Sequence, residues 1–378
     1  MPTKKRSQPG PAKTDLPTIH DVARVAGVSA ATVSRALAKP RVVAPTTRAR
    51  VAAAVRETGY RPSASSSKSK GNMVLALIPR IGSPFFTPFL DAISDLLSES
   101  GYCVAVGDLR GSRQKEQHFA RALRGGSFAG AILFTGSIPR DDGEGERPVL
   151  DIPVVLACNE IAGVLDLPIF DVDDRKAARS MVSYLTGLGH RRIAHISGPA
   201  NNVEAQERCQ GYKEALNAAG LQVDPELIWE GDFYLGSGIA AAGRYLGSAN
   251  RPTAVFAGND QMAMGFITEV KEAGFSVPGD VSVAGFDDIE YSVIFDPPLT
   301  TMRQPRQEIG RLAALELLRR MNGADRGEPP RKVRMQCELV IRASTQALRL
   351  TVEDRDRPSD GSRPVKRTGR RPFDVASI

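Results

Sequence analysis

The side chains of this 378-residue chain best suited to catalysis or metal binding are spaced for neither. None of His20, His118, His190 and His195 belongs to a metal-ligating motif, and no G-x-S-x-G elbow presents a nucleophile. His190, in GLGHRR at a helix-to-strand corner, reads as structural. Cys103, Cys158, Cys209 and Cys337 are far apart with no C-x-x-C. That argues against disulfides and zinc alike, and leaves four small buried hydrophobes in a reducing cytoplasm. Gly236-x-Gly238 followed by Gly243 breaks the G-x-G-x-x-G spacing of a dinucleotide site and reads instead as the first turn of a helix. No catalytic residue, metal site or cofactor is expected.

Arg35 stands in a more informative setting. Its planar fork matches the O6 and N7 acceptors of guanine, and Ala30 and Ala31 beside it can make only apolar contacts, as to a thymine methyl. Residues 18–37, TIHDVARVAGVSAATVSRAL, supply the elements that would position these groups. Thr18 can cap a first helix with Asp21 three residues on, and Ile19, Val22 and Ala23 form its apolar face. Gly27 gives the turn its backbone freedom. Ser29 can cap a second helix whose Val33 and Leu37 point to the core, leaving Ala30, Ala31, Thr32, Ser34 and Arg35 outside. A third helix fits Thr47 to Glu57, with Val51 and Val55 inward and Gly59 as its stop. This is a helix-turn-helix, in which the start of the second helix meets base edges in the major groove. An unliganded three-helix bundle would show the same spacing.

Charge favours the nucleic-acid reading. Residues 1–70 carry 14 Lys/Arg against 3 Asp/Glu, a net of +11, and residues 351–378 add +2. With +7 for the whole chain, residues 71–350 hold −6. A basic head on an acidic body is the footprint of a nucleic-acid module joined to a domain that does not bind nucleic acid.

Residues 1–16 read as a disordered basic arm, 17–62 as the DNA-binding domain, 63–72 (SASSSKSKGN from 63) as a hinge linker, and 351–378 as a disordered Pro- and Arg-rich tail. From Met73 to about 350, apolar runs at 73–78, 102–107, 129–134, 153–157, 192–196, 253–257 and 281–286 alternate with amphipathic segments at 87–98, 175–188, 204–219, 260–273 and 305–321. That alternation predicts an α/β fold, with doubly wound parallel sheets in two lobes. No run approaches the length of a membrane span, and MPTKKRSQPGPAK lacks the apolar stretch of a secretory signal, so no membrane partner is expected.

Several blocks, in order, resemble one family. TIHDVARVAGVSAATVSRAL, GYRP at 59–62, GLGHRRIAHISGP at 187–199, AGNDQMAMG at 257–265, VPGDVSVAGFDD at 277–288 and PPLTTMRQP at 297–305 resemble the LacI/GalR transcriptional regulators. The resemblance implies a helix-turn-helix, a hinge and a periplasmic-binding-protein-like core, acting as a homodimeric repressor on double-stranded palindromic operator DNA under a small-molecule effector. DNA contacts then fall to Thr18, Ser29, Ala30, Ala31, Thr32, Ser34, Arg35 and Tyr60, with Lys68 and Lys70 on phosphates. Residues 63–72 contain no Leu, Ile, Met or Phe, so the family's minor-groove wedge has no counterpart there.

In the cleft between lobes, Arg208 matches the family arginine that holds ligand hydroxyls or carboxylate. Asp287 matches the carboxylate that accepts from ligand hydroxyls. Phe86 and Phe233 match positions whose rings can stack on a ligand, although Phe86 could instead begin the apolar face of its helix. Asn159, Asp173 and Asn259 complete the set, with Asp260 read as a helix cap. LDLPIFDVDD, GDF, FDPPLTTMRQPRQEIGR and CELVIRASTQAL are most like a cytidine-responsive member. The implied effector is a nucleoside, cytidine first, with a mono- or disaccharide as the alternative. A solute-binding protein would share the core but not the basic head.

Overall fold

The computed structural model describes residues 18–38, 43–58, 71–124, 126–135, 152–158, 167–324 and 328–348, which fall into two compact units divided after Ser69. The first unit is three helices, α1 (Ile19–Ala26), α2 (Ala30–Ala38) and α3 (Pro45–Thr58). The Thr18 backbone N–H and hydroxyl both donate to the Asp21 carboxylate, at 2.9 and 2.7 Å, which starts α1. Gly27 then turns the chain in the left-handed region, at φ 58°. The Arg50 guanidinium, reaching from α3, donates to the carbonyls of Ala26 (2.6 Å) and Gly27 (3.1 Å) and so fixes the angle between the first two helices. The Ser29 hydroxyl accepts from the Thr32 N–H at 3.2 Å and caps α2.

The small core is Val22, Ala23, Ala26, Val33, Ala36, Val51 and Ala54, with Val55 packed at its edge. Leu37, expected inward, is 38% exposed. In α2 the inward stripe runs Val33 to Ala36, three residues apart, and this turns Leu37 outward.

In the second unit, the strands β1 (Met73–Ile78), β2 (Cys103–Asp108), β3 (Gly130–Leu133), β4 (Val154–Ala157), β5 (Ile169–Val172) and β11 (Lys332–Met335) form one parallel sheet in the order β11-β5-β4-β3-β1-β2. A second parallel sheet orders β7 (Ile228–Trp229), β6 (Ile193–Ile196), β8 (Ala254–Ala257) and β9 (Ser282–Ala284) as β7-β6-β8-β9. β10 (Thr301–Arg303) pairs antiparallel with β12 (Glu338–Val340). β3, β4, β6 and β8 are buried throughout, as continuous apolar strands of a sheet covered on both faces should be.

Helices α4 (Thr87–Glu99), α5 (Arg113–Arg124) and α11 (Arg306–Met321) serve the first sheet, and α6 (Asp174–Gly187), α7 (Val203–Ala218), α8 (Leu235–Gly247) and α9 (Asp260–Glu272) the second. A short α10 (Tyr291–Ile294) follows β9. The chain crosses between the sheets three times: from β5 to α6, from β10 to α11, and from β11 to β12.

The seven apolar runs and five amphipathic segments read from the sequence are all present, and α8 begins at the Gly236 turn. Unforeseen were β5, β10, β11 and β12, whose short runs each include a charged residue, the two-residue β7, and the charge-rich α5. The cysteines also differ from expectation. Cys103 begins the edge strand β2 and is exposed, and the other three are only partly buried. His190 is structural: buried, with its ring nitrogens on Thr253 Oγ1 and the Gln346 carbonyl, it ties the helix-to-strand corner to the C-terminal segment. His195 is stacked in the core between Tyr212 and Phe256, where burial lowers its pKa to about 4. No helix among the described residues is long and apolar enough to cross a membrane.

Candidate functional site

The carboxyl ends of β6, β7, β8 and β9 all open on the same crevice, the place where open parallel sheets bind ligands. From α7 the Arg208 guanidinium, buried, is aimed across it. Its Nε donates to Asp174 Oδ1 at 2.7 Å and its Nη1 to the Gly258 carbonyl at 2.6 Å, with Asp287 Oδ1 at 3.7 Å. The guanidinium carbon lies 3.8 Å over the Phe286 ring and 5.6 Å from that of Phe233. Asp287 has φ 115° and accepts from the Gln304 side-chain amide at 2.8 Å.

Burial pushes Asp287 up to about 7 against the pull of Arg208, and Asp174 is raised by burial too. Glu204, one turn before Arg208, is pushed up to about 7 by burial and by Asp174. Asp260 rises to about 6 through burial, although Thr301 Oγ1 (2.6 Å), Ser292 Oγ (2.7 Å) and the Ile289 N–H (2.9 Å) all donate to it. This concentration of buried charge in one crevice makes it the candidate functional site.

Two cations join the walls. Arg306, at the start of α11, donates to the Phe85 carbonyl at 3.2 Å and to the Asp288 carbonyl at 2.7 Å. Arg80, after β1, lies 4.7 Å over the Tyr234 ring. Phe233, at φ 70°, rests its ring against Gly198, where any Cβ would collide with it. The Phe233 carbonyl is held by the Asn259 amide at 2.9 Å.

Arg208, Asp287 and Phe233 are thus brought together, and Asp173 stands at the same mouth as the N-cap of α6, accepting from the Lys176 N–H at 2.9 Å. Two assignments change. The Phe86 ring is buried edge-on against Phe134 in the core of the first sheet, whereas its neighbour Phe85 is partly buried and touches the cores of both sheets. The ring left partly exposed at that corner is that of Phe85. Asn259, not Asp260, caps α9, and its amide also holds the Phe233 carbonyl, which leaves it a second N–H beside the crevice loop. Gln304, Arg306, Asp174 and Glu204 drew no notice in the sequence: all four are polar residues at or just before the start of amphipathic segments. Asn159, Tyr60, Lys68 and Lys70 lie outside the described residues.

In the helical unit, Thr18, Ser29, Ala31 and Arg35 are exposed and Thr32 and Ser34 half-buried, while Ala30 packs partly against the small core. Ala31 and Arg35, four residues apart, share the outer face of α2.

Comparison with known proteins places this geometry. The profile of bacterial regulatory proteins of the lacI family matches residues 18–63, and that of a periplasmic binding protein-like domain matches residues 182–345. The transcriptional repressor CytR of Escherichia coli K12 is 40% identical over 334 residues, 88% of this chain and 97% of that protein. The repressor PurR of Photobacterium profundum is 33% identical over 88% of this chain and all of that one. Among solved structures, the regulator CelR in complex with cellobiose aligns over 87% of this chain and 99% of its own, at 32% identity and a TM-score of 0.66. The lac repressor dimer bound to operator and the anti-inducer ONPF aligns over 88% of this chain and 100% of its own, at 27% and 0.63. The chain belongs to the LacI family, as a DNA-binding transcriptional repressor with a helix-turn-helix and a periplasmic-binding-protein-like core.

Proposed function

We propose that the protein works in the cytoplasm as a homodimer on a palindromic operator, has no catalytic activity, and is released from DNA by a nucleoside, cytidine first, bound in the crevice. Arg35 reads a guanine and Ala31 an apolar base edge, while Thr18, Ser29, Thr32, Ser34, Tyr60, Lys68 and Lys70 hold phosphates and register. Arg208, Asp287 and Asp173 take ligand hydroxyls, with Asn159 beside them.

The observation that carries the nucleoside reading is the pairing of planar rings with polar groups. Phe233 lies against the Arg208–Asp287 pair and Phe85 borders both walls, so a flat base can stack while ribose hydroxyls reach the charges. The 40% identity to CytR supports the same choice. A sugar effector is the second reading, favoured by the alignment with the CelR–cellobiose complex, since aromatic rings also stack on pyranose faces.

Ligand binding to one state of the crevice weakens operator binding by its differential affinity, about 1–3 kcal/mol. Calorimetry of the full chain with cytidine, adenosine, ribose and cellobiose separates the readings. Heat with cytidine and release from the operator are expected. Heat only with a sugar overturns the nucleoside.

A further inference from the structure

Among the described residues, Glu204 differs from every other acid of the crevice. Asp174 is bonded to Arg208, Asp287 to Gln304, Asp260 to three donors, and Asp288 to Arg303 and Arg342. Both carboxyl oxygens of Glu204 are shielded from solvent and make no full hydrogen bond, the Asn202 side chain and the Glu204 N–H only approaching them. It sits on the first turn of α7, four residues before Arg208 and so on the same face. Arg208 attracts it only at a distance, because the Nε and Nη1 of that side chain are committed to Asp174 and the Gly258 carbonyl. A buried carboxyl that makes no full hydrogen bond costs free energy unless it is neutral or a ligand fills its valences. At the other side of Asp287, Arg306 keeps a buried Nε–H without an acceptor. The crevice therefore holds two unmet groups, one at each end of the Asp174–Arg208–Asp287 chain.

A neutral carboxyl presents one donor beside one acceptor in a single plane. The matching partner is a flat ring whose edge carries an acceptor nitrogen next to an amino group, as cytosine does. We propose that Glu204, as the neutral acid, selects the effector by pairing in-plane with such a ring edge: its O–H donates to the ring nitrogen and its carbonyl oxygen accepts from the amino group. Arg306 Nε then donates to an oxygen at the far end of the ligand. This rests on the nucleoside reading and adds the group that chooses the base.

The groups around Glu204 are Asp174 on α6, Arg208 on its own helix, Cys158 after β4 and Asn202 before α7. Burial and Asp174 place its ionisation near 7, so the pairing form is lost as pH rises above that.

The test uses the full chain, with cytidine titrated into wild type, Glu204→Gln and Glu204→Ala between pH 6 and 8.5. The Gln amide offers the same donor–acceptor pair at every pH. Wild-type affinity should fall about tenfold per pH unit above 7, Glu204→Gln should bind as wild type does at pH 6 and lose most of that slope, and Glu204→Ala should bind at least about tenfold more weakly at pH 6. Asp287 titrates in the same range in all three proteins, so the difference between the wild-type and Gln curves belongs to Glu204. Melting curves and ribose binding report whether each variant is folded. Equal cytidine affinity in all three proteins, or a Gln variant as weak as the Ala variant, overturns the inference while leaving the nucleoside reading intact. Sugar binding without any nucleoside binding overturns both.

Discussion

The three-helix unit and the crevice of the core solve opposite problems. The helical unit keeps only methyls and short apolar chains inside and turns the groups proposed to read DNA, Ala31 and Arg35, to the surface. The crevice buries its charges and leaves one shielded carboxyl without a full hydrogen bond. In the first unit, stability and recognition rest on different residues. In the second they rest on the same ones, so a change there should disturb fold and ligand together.

That contrast can be broken most directly at the two arginines. Arg208→Ala leaves Asp174 and Asp287 buried without their cation, and denaturant unfolding should show a loss of about 3–5 kcal/mol. A loss below about 1 kcal/mol would mean the network is solvated and the contrast false. Arg35→Ala, by comparison, should leave the unfolding midpoint unchanged and weaken operator binding by about 1–3 kcal/mol, much more than binding to random duplex. Equal weakening on both DNAs would reduce Arg35 to a phosphate contact.

Acidity sharpens the same comparison. In the folded core, burial holds Asp287 near 7 and Asp260 near 6, against 3.8 for an ordinary aspartate. Between those values the folded state keeps protons that the unfolded chain has released, so stability should fall as pH rises from about 4 to about 7 and level off above. Asp287→Asn should flatten that decline in urea unfolding of the ligand-free protein, and an unchanged slope would assign the decline elsewhere. Asp21 has the opposite sign, because hydrogen bonds from Thr18 lower its pKa. Asp21→Ala should lower the melting of the helical unit slightly near neutral pH through the lost capping box, the smallest of these effects, read by the far-ultraviolet melting of helix.

How legible each region was follows from the same difference. The Thr18 cap, the Gly27 turn and the inward Val33 follow from local rules, and β1 from an unbroken apolar run. Leu37 misled because a nine-residue helix fits two apolar stripes equally well, and only packing against Val51 and Ala54 chooses between them. The crevice was legible where one residue type has one use, as at Arg208. It was illegible where neighbours compete for one role. Phe85 and Phe86 are alike in sequence, and only the backbone direction sends Phe86 into the core. Asn259 and Asp260 both suit a cap, and only the distant Thr301 and Ser292 claim Asp260. Glu204 gave no signal, since a glutamate on the first turn of a helix is ordinary until its surroundings close over it.

The three crossings between the sheets carry a mechanical consequence. A single tether would let the halves swivel about any axis. Three tethers, through Asp173, through Gln304 and Pro305, and through residues 336–337, cross-linked by the Asp173 N–H on the Met335 carbonyl and by the β10–β12 pairing, act as a strap that resists twist and shear more than bending. Gln304 stands on that strap with its amide on Asp287, so whatever draws on Asp287 pulls on the strap at its fold line. The ligand's freedom to move the protein is thereby cut to one coordinate, and a repressor needs no more than that: a door, with one hinge and one direction of opening.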